Sequence, residues 1–275
     1  FPLLSVYGYH AFNYYNNGHP SFFIHEPDPK LSTAENLLHL LRTDSKYTPL
    51  EAKILDLALV LHAEHGGGNN STFTDRVVTS SGTDTYSAIA AAVGSLKGRR
   101  HGGANIRVVE MMNEIKANVK DWSNEQEIRD YIYKIAKKEA FDRTGLVYGM
   151  GHAVYTISDP RAVLLRDKAE KLAKEKGCLE EFNLHKIIER VAPEILAEVH
   201  KSGKRICANV DFYSGFVYSM LNIPTELYTP IFAISRIAGW SAHRIEEIVA
   251  GGRIYRPAYK NVSEPRDYIP LDERK

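Results

Sequence analysis

Apolar residues recur along this chain at the spacing of amphipathic helices, and capping signals mark where helices begin. Residues 48–51 form a capping box with proline at the first helical position, and one apolar face follows: Leu50, Ile54, Leu57, Ala58 and Leu61. A second capping box at residues 32–35 precedes the leucines of 37–41. We therefore predict a helix from each box, the one after Thr48 ending at the glycines of 66–68.

Polar caps predict four more helices. Asp84 begins a helix that stops at Gly98, and Asn105, followed by apolar residues at helical spacing, opens the next. Residues 123–126 cap a third helix, and Asp159 starts a fourth that is rich in lysine and glutamate.

Three further segments complete the prediction. A helical run from Leu179 is expected to be interrupted at Pro193, and a long apolar helix is expected from Thr229 to the glycines of 251–252. Residues 71–81 are rich in β-branched side chains and, on local signals alone, favour a short strand.

The character of the chain divides it into two parts. Residues 105–218 carry more charge than the apolar helices on either side. We therefore predict a small domain at 105–218, inserted into a large domain made of residues 1–104 and 219–275. A chain of 275 residues with 44% apolar content is long enough to bury such a core.

Composition excludes several classes of function. The net charge is +1, from 35 basic and 34 acidic residues, which argues against a nucleic-acid or anionic membrane surface as the main partner. Cys178 and Cys207 lack the spacing of a disulfide framework or a zinc site.

No apolar run is long enough to span a bilayer and no signal peptide is recognisable, so we expect a soluble, cytoplasmic protein. Because it opens with Phe1, we interpret the chain as a fragment or a processed form.

Histidines next to glycines or helix ends are the first candidates for chemistry. His101 lies in a glycine-rich loop at residues 97–105, where a substrate can approach the backbone. His152 follows a second glycine pair, and His62 and His65 lie three residues apart at a predicted helix end. That spacing alone is a weak zinc signal without further ligands, so we interpret His62 as packing on the core and expect no metal.

One carboxylate and several arginines complete the candidate site. Asp211 lies among apolar and aromatic neighbours, where burial raises a carboxyl pKa toward the range of a general base, although an N-cap aspartate has the same surroundings in sequence. Arg236 lies inside an apolar helix and needs a carboxylate from the protein or a ligand. With Arg161 and Arg256, these residues predict a small polyanionic substrate.

The chain resembles the C-terminal two thirds of a citrate synthase. The motifs match in order at residues 61–65, 101–105, 149–152 with 159–161, 209–215, 236–243 and 256–257. The resemblance starts near residue 32 and leaves the family's N-terminal helices, part of its large domain, without a counterpart. It implies an all-α homodimer in which a large and a small domain close over oxaloacetate and acetyl-CoA, with no further cofactor.

The resemblance also implies roles for three catalytic residues. His101 would hydrogen-bond the thioester carbonyl while Asp211 removes a methyl proton, giving an enol(ate). His152 would polarise the ketone of oxaloacetate for attack. Hydrolysis of citryl-CoA would then release citrate and CoA.

Substrate contacts follow from the same resemblance. His65, Arg161 and Arg236 would hold oxaloacetate within one subunit, and Arg256 would reach in from the neighbouring subunit.

The resemblance places Asn209, Gly149 and Gly151 in contact with acetyl-CoA.

Two positions depart from the family's usual pattern. Arg99 replaces a proline in the loop before His101, and Thr156 occupies a stretch where relatives carry a basic residue. Two alternatives stay open, a 2-methylcitrate synthase using propionyl-CoA and a non-catalytic helical assembly subunit.

Overall fold

The fold is all-helical in the part of the chain that the computed structural model describes, residues 1–201 and 205–274. The helices there are α1 Pro2–Asn16, α2 Thr33–Leu41, α3 Pro49–His62, α4 Asn70–Ser80, α5 Thr85–Leu96, α6 Ala104–Asn118, α7 Glu125–Ala136, α8 Pro160–Lys176, α9 Leu179–His200, α10 Val210–Met220 and α11 Tyr228–Val249. Short 3₁₀ turns cover Thr225–Leu227 and Leu271–Glu273. The prediction of an all-α protein is confirmed.

Local capping chemistry sets most helix starts. Ser32 and Thr48 each form both hydrogen bonds of a capping box, with Glu35 and Glu51 at the third helical position. The predicted cap at Asp159 is also present, its side chain accepting from the backbone nitrogen of Arg161. These predictions succeed because every partner lies within three residues of the cap.

The predicted strand at residues 71–81 is wrong, because this segment forms α4. Its buried positions are all polar and recur at helical spacing: Ser71, Thr72, Asp75 and Thr79. They face α5 and α11, so contacts distant in sequence override the β propensity of single residues.

The predicted interruption at Pro193 is also wrong. Helix α9 runs unbroken from Leu179 to His200 with the proline inside it. Proline removes one backbone hydrogen bond and costs about 3 kcal/mol in a helix interior. A buried face of α9 that extends from Phe182 to Leu196 offsets that cost.

One helix ends earlier than predicted, and one helix was not predicted. Helix α3 ends at His62, so His65 lies in the loop that follows and shares no helical face with it. Helix α1, which the sequence patterns do not predict, packs against α2 and α11.

Helix packing forms one continuous core with a smaller satellite. The core joins α1, α2, α3 and part of α11 to α6 through α10, whereas the satellite lies between α5 and α11. Residues 105–218 contain α7, α8, α9 and nearly all of α6 and α10, and α10 continues to Met220, past the predicted boundary. The two-domain division stays a prediction. No helix among the described residues is long and apolar enough to cross a membrane.

Candidate active site

Several helix ends and loops meet around one cavity of about 110 Å³. A water-sized group needs about 10–15 Å³ of such space, so the cavity has room for a molecule of a few carbon and oxygen atoms. Its lining comprises His65, Asn69, His101, Gly102, Asn105, His152, Arg161, Asn209, Val210, Asp211, Tyr218, Tyr228, Phe232 and Arg236.

Seven of the residues singled out from the sequence line this cavity: His65, His101, His152, Arg161, Asn209, Asp211 and Arg236. Gly149, Gly151 and Arg256 do not line it. The carbonyl oxygens of the two glycines accept hydrogen bonds from Asn209, which does line the cavity. Arg256 is exposed on the segment after α11.

His101 meets the N-terminus of α4. Its Nε2 lies 3.0 Å from Oγ of Ser71 and 3.3 Å from the backbone nitrogen of Ser71. A backbone N–H can only donate, so Nε2 is an acceptor and the neutral ring carries its proton on Nδ1. Burial, with the charge of Arg236, lowers the pKa of His101, which keeps the ring neutral. Its Nδ1–H is therefore a neutral hydrogen-bond donor.

His152 has the opposite tautomer. Its Nδ1 accepts from the backbone nitrogens of Val154 at 3.0 Å and Tyr155 at 3.2 Å, so the proton of the neutral ring is on Nε2. That Nε2 lies 3.0 Å from Nε2 of His65. Burial and Arg161 lower the pKa of His65 to about 4, so His65 is neutral and can accept.

Asp211 is the second residue of α10 and is not its cap. The cap is Asn209, whose side-chain oxygen accepts from the backbone nitrogen of Asp211 at 3.0 Å. Burial raises the pKa of Asp211 to about 6, despite the opposing charges of Arg161 and Arg236. A carboxyl with that pKa is ionised at neutral pH and basic enough to take a proton.

Arg161 and Arg236 differ in how their charges are compensated. Arg161 forms a two-point ion pair with the buried Asp159, from Nε to Oδ1 at 3.0 Å and from Nη2 to Oδ2 at 2.8 Å. Asp159 also accepts from the backbone nitrogen of Val210, which ties α8 to the start of α10.

Arg236 is 1% exposed and forms no ion pair with a carboxylate among the described residues. Its Nε donates to the carbonyl oxygen of His62 at 2.7 Å, and its Cζ lies 4.8 Å from the centre of the Phe232 ring. Its Nη1 is buried and has no hydrogen-bond partner in the described part of the chain, and burial lowers the pKa of Arg236 to about 10. The expected protein carboxylate is not within ion-pair distance, so the guanidinium is available to an anionic ligand.

Gly149 and Gly151 hold the loop that presents His152. Both have a positive φ, and a Cβ on Gly149 would lie 2.8 Å from the Phe212 ring. The carbonyl of Gly149 accepts from the Asn209 backbone nitrogen at 2.8 Å, and that of Gly151 accepts from the Asn209 side chain at 2.8 Å. This pairing joins the loop that carries His152 to the start of α10, which carries Asp211.

His62 is fully buried and packs 4.6 Å from the Phe232 ring. Burial lowers the pKa of His62 to about 3, so the ring is neutral. Within residues 1–201 and 205–274, no group of three or more His, Cys, Asp or Glu side chains is arranged to hold a metal ion.

Sequence reasoning missed several contributors to the site, among them Ser71, Tyr218, Phe232 and Asp159. Ser71 contacts His101 from 30 positions away, and Tyr218 and Phe232 form an aromatic wall, so no local signal identifies them. The pairing of Asp159 with Arg161 spans two residues and could have been found from its position at a helix N-terminus.

Comparison with known proteins agrees with this geometry. The profile described as citrate synthase, C-terminal domain, matches residues 1–258. The chain belongs to the citrate synthase family. A citrate synthase of Synechocystis sp. is 41% identical over 251 residues, which cover 90% of this chain and 58% of that protein. A 2-methylcitrate synthase of Shewanella oneidensis is 38% identical, over 87% of this chain and 58% of its own length.

Solved structures of the family have the same fold. Citrate synthase from Pyrobaculum aerophilum superposes with a TM-score of 0.77 at 31% identity, covering 99% of this chain and 62% of that one. A ternary complex of citrate synthase from Thermoplasma acidophilum with carboxymethyl coenzyme A and oxaloacetate gives a TM-score of 0.74 at 29% identity, over 98% of this chain and 66% of that one. The chain thus spans less than two thirds of the length of the relatives described here.

Proposed function

We propose that this protein condenses acetyl-CoA with oxaloacetate and water to give citrate and CoA. The proposal rests on three side chains that meet at one small cavity. His101 is a neutral hydrogen-bond donor, Asp211 is a carboxylate with a raised pKa, and Arg236 is a buried guanidinium that forms no ion pair in the described chain. A helical scaffold without chemistry gives no reason to keep Arg236 buried without an ion pair, since that arrangement is costly.

The bond-forming step uses three side chains. Asp211 takes a proton from the thioester methyl group while Nδ1–H of His101 donates to the carbonyl oxygen, so the enol(ate) forms with its charge stabilised. The methyl carbon then attacks the ketone carbon of oxaloacetate. Nε2–H of His152 exchanges its contact with His65 for the ketone oxygen. As the C–C bond forms, this oxygen takes up a proton equivalent to the one that Asp211 removed, which gives citryl-CoA and restores the Asp211 carboxylate. Water then cleaves the thioester to citrate and CoA.

Oxaloacetate is held by charge. Its two carboxylates can each contact an arginine. One pairs with Arg236, which has no carboxylate partner in the described chain, and the other contacts Arg161, which also pairs with Asp159. His65 lies within hydrogen-bond distance of His152 and orients it toward the same ligand. We assign these three residues to oxaloacetate binding.

Acetyl-CoA enters beside Asn209, whose side chain and backbone join the loop of Gly149 and Gly151. The thioester is a substrate, and we propose no cofactor.

We further propose that the protein acts as a homodimer in which Arg256 completes the neighbouring site. After Tyr255 the described chain, residues 256–274, is almost wholly exposed, with Tyr259 at 94% and Val262 at 88%. Apolar side chains at this exposure favour contact with another surface. A second copy of the chain provides that surface and receives Arg256.

The test is a rate assay with acetyl-CoA, compared with the same assay with propionyl-CoA. With oxaloacetate present, acetyl-CoA should give citrate and CoA, and the release of CoA thiol should match the citrate formed. Absence of citrate from protein that binds oxaloacetate would contradict the proposal.

The second candidate is a 2-methylcitrate synthase, which the 38% identity to the Shewanella oneidensis protein supports. One added methylene changes binding by only about 1–3 kcal/mol, so both thioesters can react. A kcat/KM for propionyl-CoA above that for acetyl-CoA would favour this candidate.

With two unpaired cysteines in the described chain, we place the protein in the cytoplasm.

A further inference from the structure

Tyr255, the residue before Arg256, is fixed to the body of the protein at three points. Its hydroxyl donates to Oε2 of Glu247 at 2.6 Å and accepts from Nη2 of Arg76 at 2.7 Å. Its backbone nitrogen donates to Oγ of Ser80 at 3.1 Å. The tyrosine therefore joins the end of α11, which carries Glu247, to the second half of α4.

Further contacts stiffen this attachment. The guanidinium carbon of Arg76 lies 5.6 Å from the centre of the Tyr255 ring, and its Nε lies 3.5 Å from Oε2 of Glu247. The Phe73 ring lies 6.3 Å from the tyrosine ring. Because the Glu247 side chain is only 9% exposed, its hydrogen bonds are shielded from water and hold their geometry better than surface pairs.

Beyond Tyr255 the attachment stops. Among the described residues, no hydrogen bond connects residues 256–274 to the rest of the chain. Tyr255 is thus the last fixed point before Arg256, and it sets where the segment leaves the body and in which direction.

The same anchor reaches toward the candidate site. A Cβ on Gly67 would lie 2.9 Å from Nη1 of Arg76, so Arg76 packs against the loop that follows His65. The other end of α4 holds His101 through Ser71. One helix therefore contacts a catalytic histidine at its start and the origin of the C-terminal segment near its end.

We propose that Tyr255, held by Arg76 and Glu247, is a positioning residue that directs Arg256 of its own chain into the active site of the partner subunit. This inference rests on the proposed function, in which Arg256 serves the neighbouring site. It predicts that the tyrosine hydroxyl matters only in the chain that donates Arg256.

The test uses mixed dimers. Asp211→Asn and Arg256→Leu chains are allowed to exchange, with exchange verified by mass spectrometry. In the mixed dimer only one site is intact, because it combines Asp211 of the Arg256→Leu chain with Arg256 of the Asp211→Asn chain. Activity should return relative to both homodimers.

Tyr255→Phe is then added to one chain at a time. On the Asp211→Asn chain, which donates the arginine, it should raise the KM for oxaloacetate roughly three- to tenfold, the worth of about one hydrogen bond. On the Arg256→Leu chain, Tyr255→Phe should leave the KM for oxaloacetate unchanged, although both mixed dimers contain the same three substitutions. Glu247→Gln, which weakens the same anchor from the other side, should show the same asymmetry.

The outcomes separate the two proposals. If activity does not return before Tyr255 is changed, the shared site is wrong and the positioning role falls with it. If activity returns but Tyr255→Phe and Glu247→Gln act equally on both chains, or on neither, the shared site stands and the positioning role is overturned.

Discussion

Nε2 of His101 accepts a hydrogen bond from the backbone of Ser71, which leaves the proton of the neutral ring on Nδ1. The Ser71 hydroxyl adds a second contact at 3.0 Å and also accepts from Nε1 of Trp240 at 3.2 Å. The backbone contact alone fixes the tautomer, and the hydroxyl refines the position of the ring.

We therefore expect Ser71→Ala to keep the tautomer but lose the contacts of the hydroxyl with His101 and Trp240. The rate kcat should fall by roughly two- to tenfold, and the melting temperature should drop because Trp240 loses its acceptor. Steady-state kinetics and thermal melting measure both effects. A loss of kcat beyond a thousandfold in folded protein would mean that the hydroxyl takes part in the chemistry itself.

Asp211→Asn removes the proposed base and leaves the Asn209 cap in place. We expect kcat to fall by roughly 10²–10⁴, the usual worth of a positioned base. Oxaloacetate binding, measured by calorimetry, should persist because its arginines are unchanged. Turnover near that of the parent protein would remove Asp211 from the mechanism.

The pH dependence of catalysis follows from the pKa of Asp211, which burial raises to about 6. The base is ionised above that pH and protonated below it. Burial lowers the pKa values of the histidines at the site, that of His65 to about 4, which favours their neutral forms over this range. We expect kcat/KM to fall as the pH drops through about 6, and the residual activity of Asp211→Asn to lack this limb.

The accuracy of the sequence prediction depended on how far apart the interacting residues lie. Caps at Ser32, Thr48 and Asp159 involve partners within three residues, so their helix starts were predictable. The helix at residues 70–80 was not, because its buried polar face is stabilised by α5 and α11. The same distance hid the contact of Ser71 with His101.

The protein partner of Arg236 could not be predicted from the sequence, and a carboxylate from a ligand stays a prediction. An arginine inside an apolar helix does need compensation, but the nearest partner is the carbonyl of His62, a backbone group that no side-chain motif reveals. The structure brings His65, His101, His152 and Asp211 to one cavity, and their roles stay predictions. The sequence pointed to them because glycines and aromatic residues lie beside them along the chain.

Asp75 provides a test of stability against pH. It is 0% exposed, and neither carboxyl oxygen has a hydrogen-bond partner among residues 1–201 and 205–274. Burial raises the pKa of Asp75 to about 6 from 3.8. An acid with a raised folded-state pKa stabilises the fold below its unfolded pKa, and this contribution is lost as the pH rises through the folded pKa.

The unfolding free energy of the parent should therefore fall by about 2–3 kcal/mol, relative to that of Asp75→Asn, between pH 4 and pH 6. Denaturant unfolding of both proteins across this range measures the difference. A constant difference would show that Asp75 is compensated in the folded protein.

Closure of the site should respond to oxaloacetate and not to CoA. His152 and Arg161 come from residues 105–218, whereas His65 and Arg236 come from the rest of the chain, so a dianion between them gains contacts from both parts. Small-angle scattering should show a smaller radius of gyration with oxaloacetate and no change with CoA alone. An unchanged radius with saturating oxaloacetate would count against closure.

Two arginines of α11 provide a matched pair of variants for this experiment. Arg236→Gln should abolish the compaction and lower thermal stability less than a change at Arg244, because it loses the single hydrogen bond to the His62 carbonyl but also removes a buried charge that forms no ion pair in the described chain. Arg244 is also buried, but it donates to Thr79 at 2.9 Å and to the carbonyl of Thr83 at 2.9 Å. Arg244→Gln should therefore destabilise the fold by roughly 1–3 kcal/mol and keep the compaction. If both variants lost stability equally and both still compacted, the guanidinium of Arg236 would have a structural role and oxaloacetate would bind elsewhere.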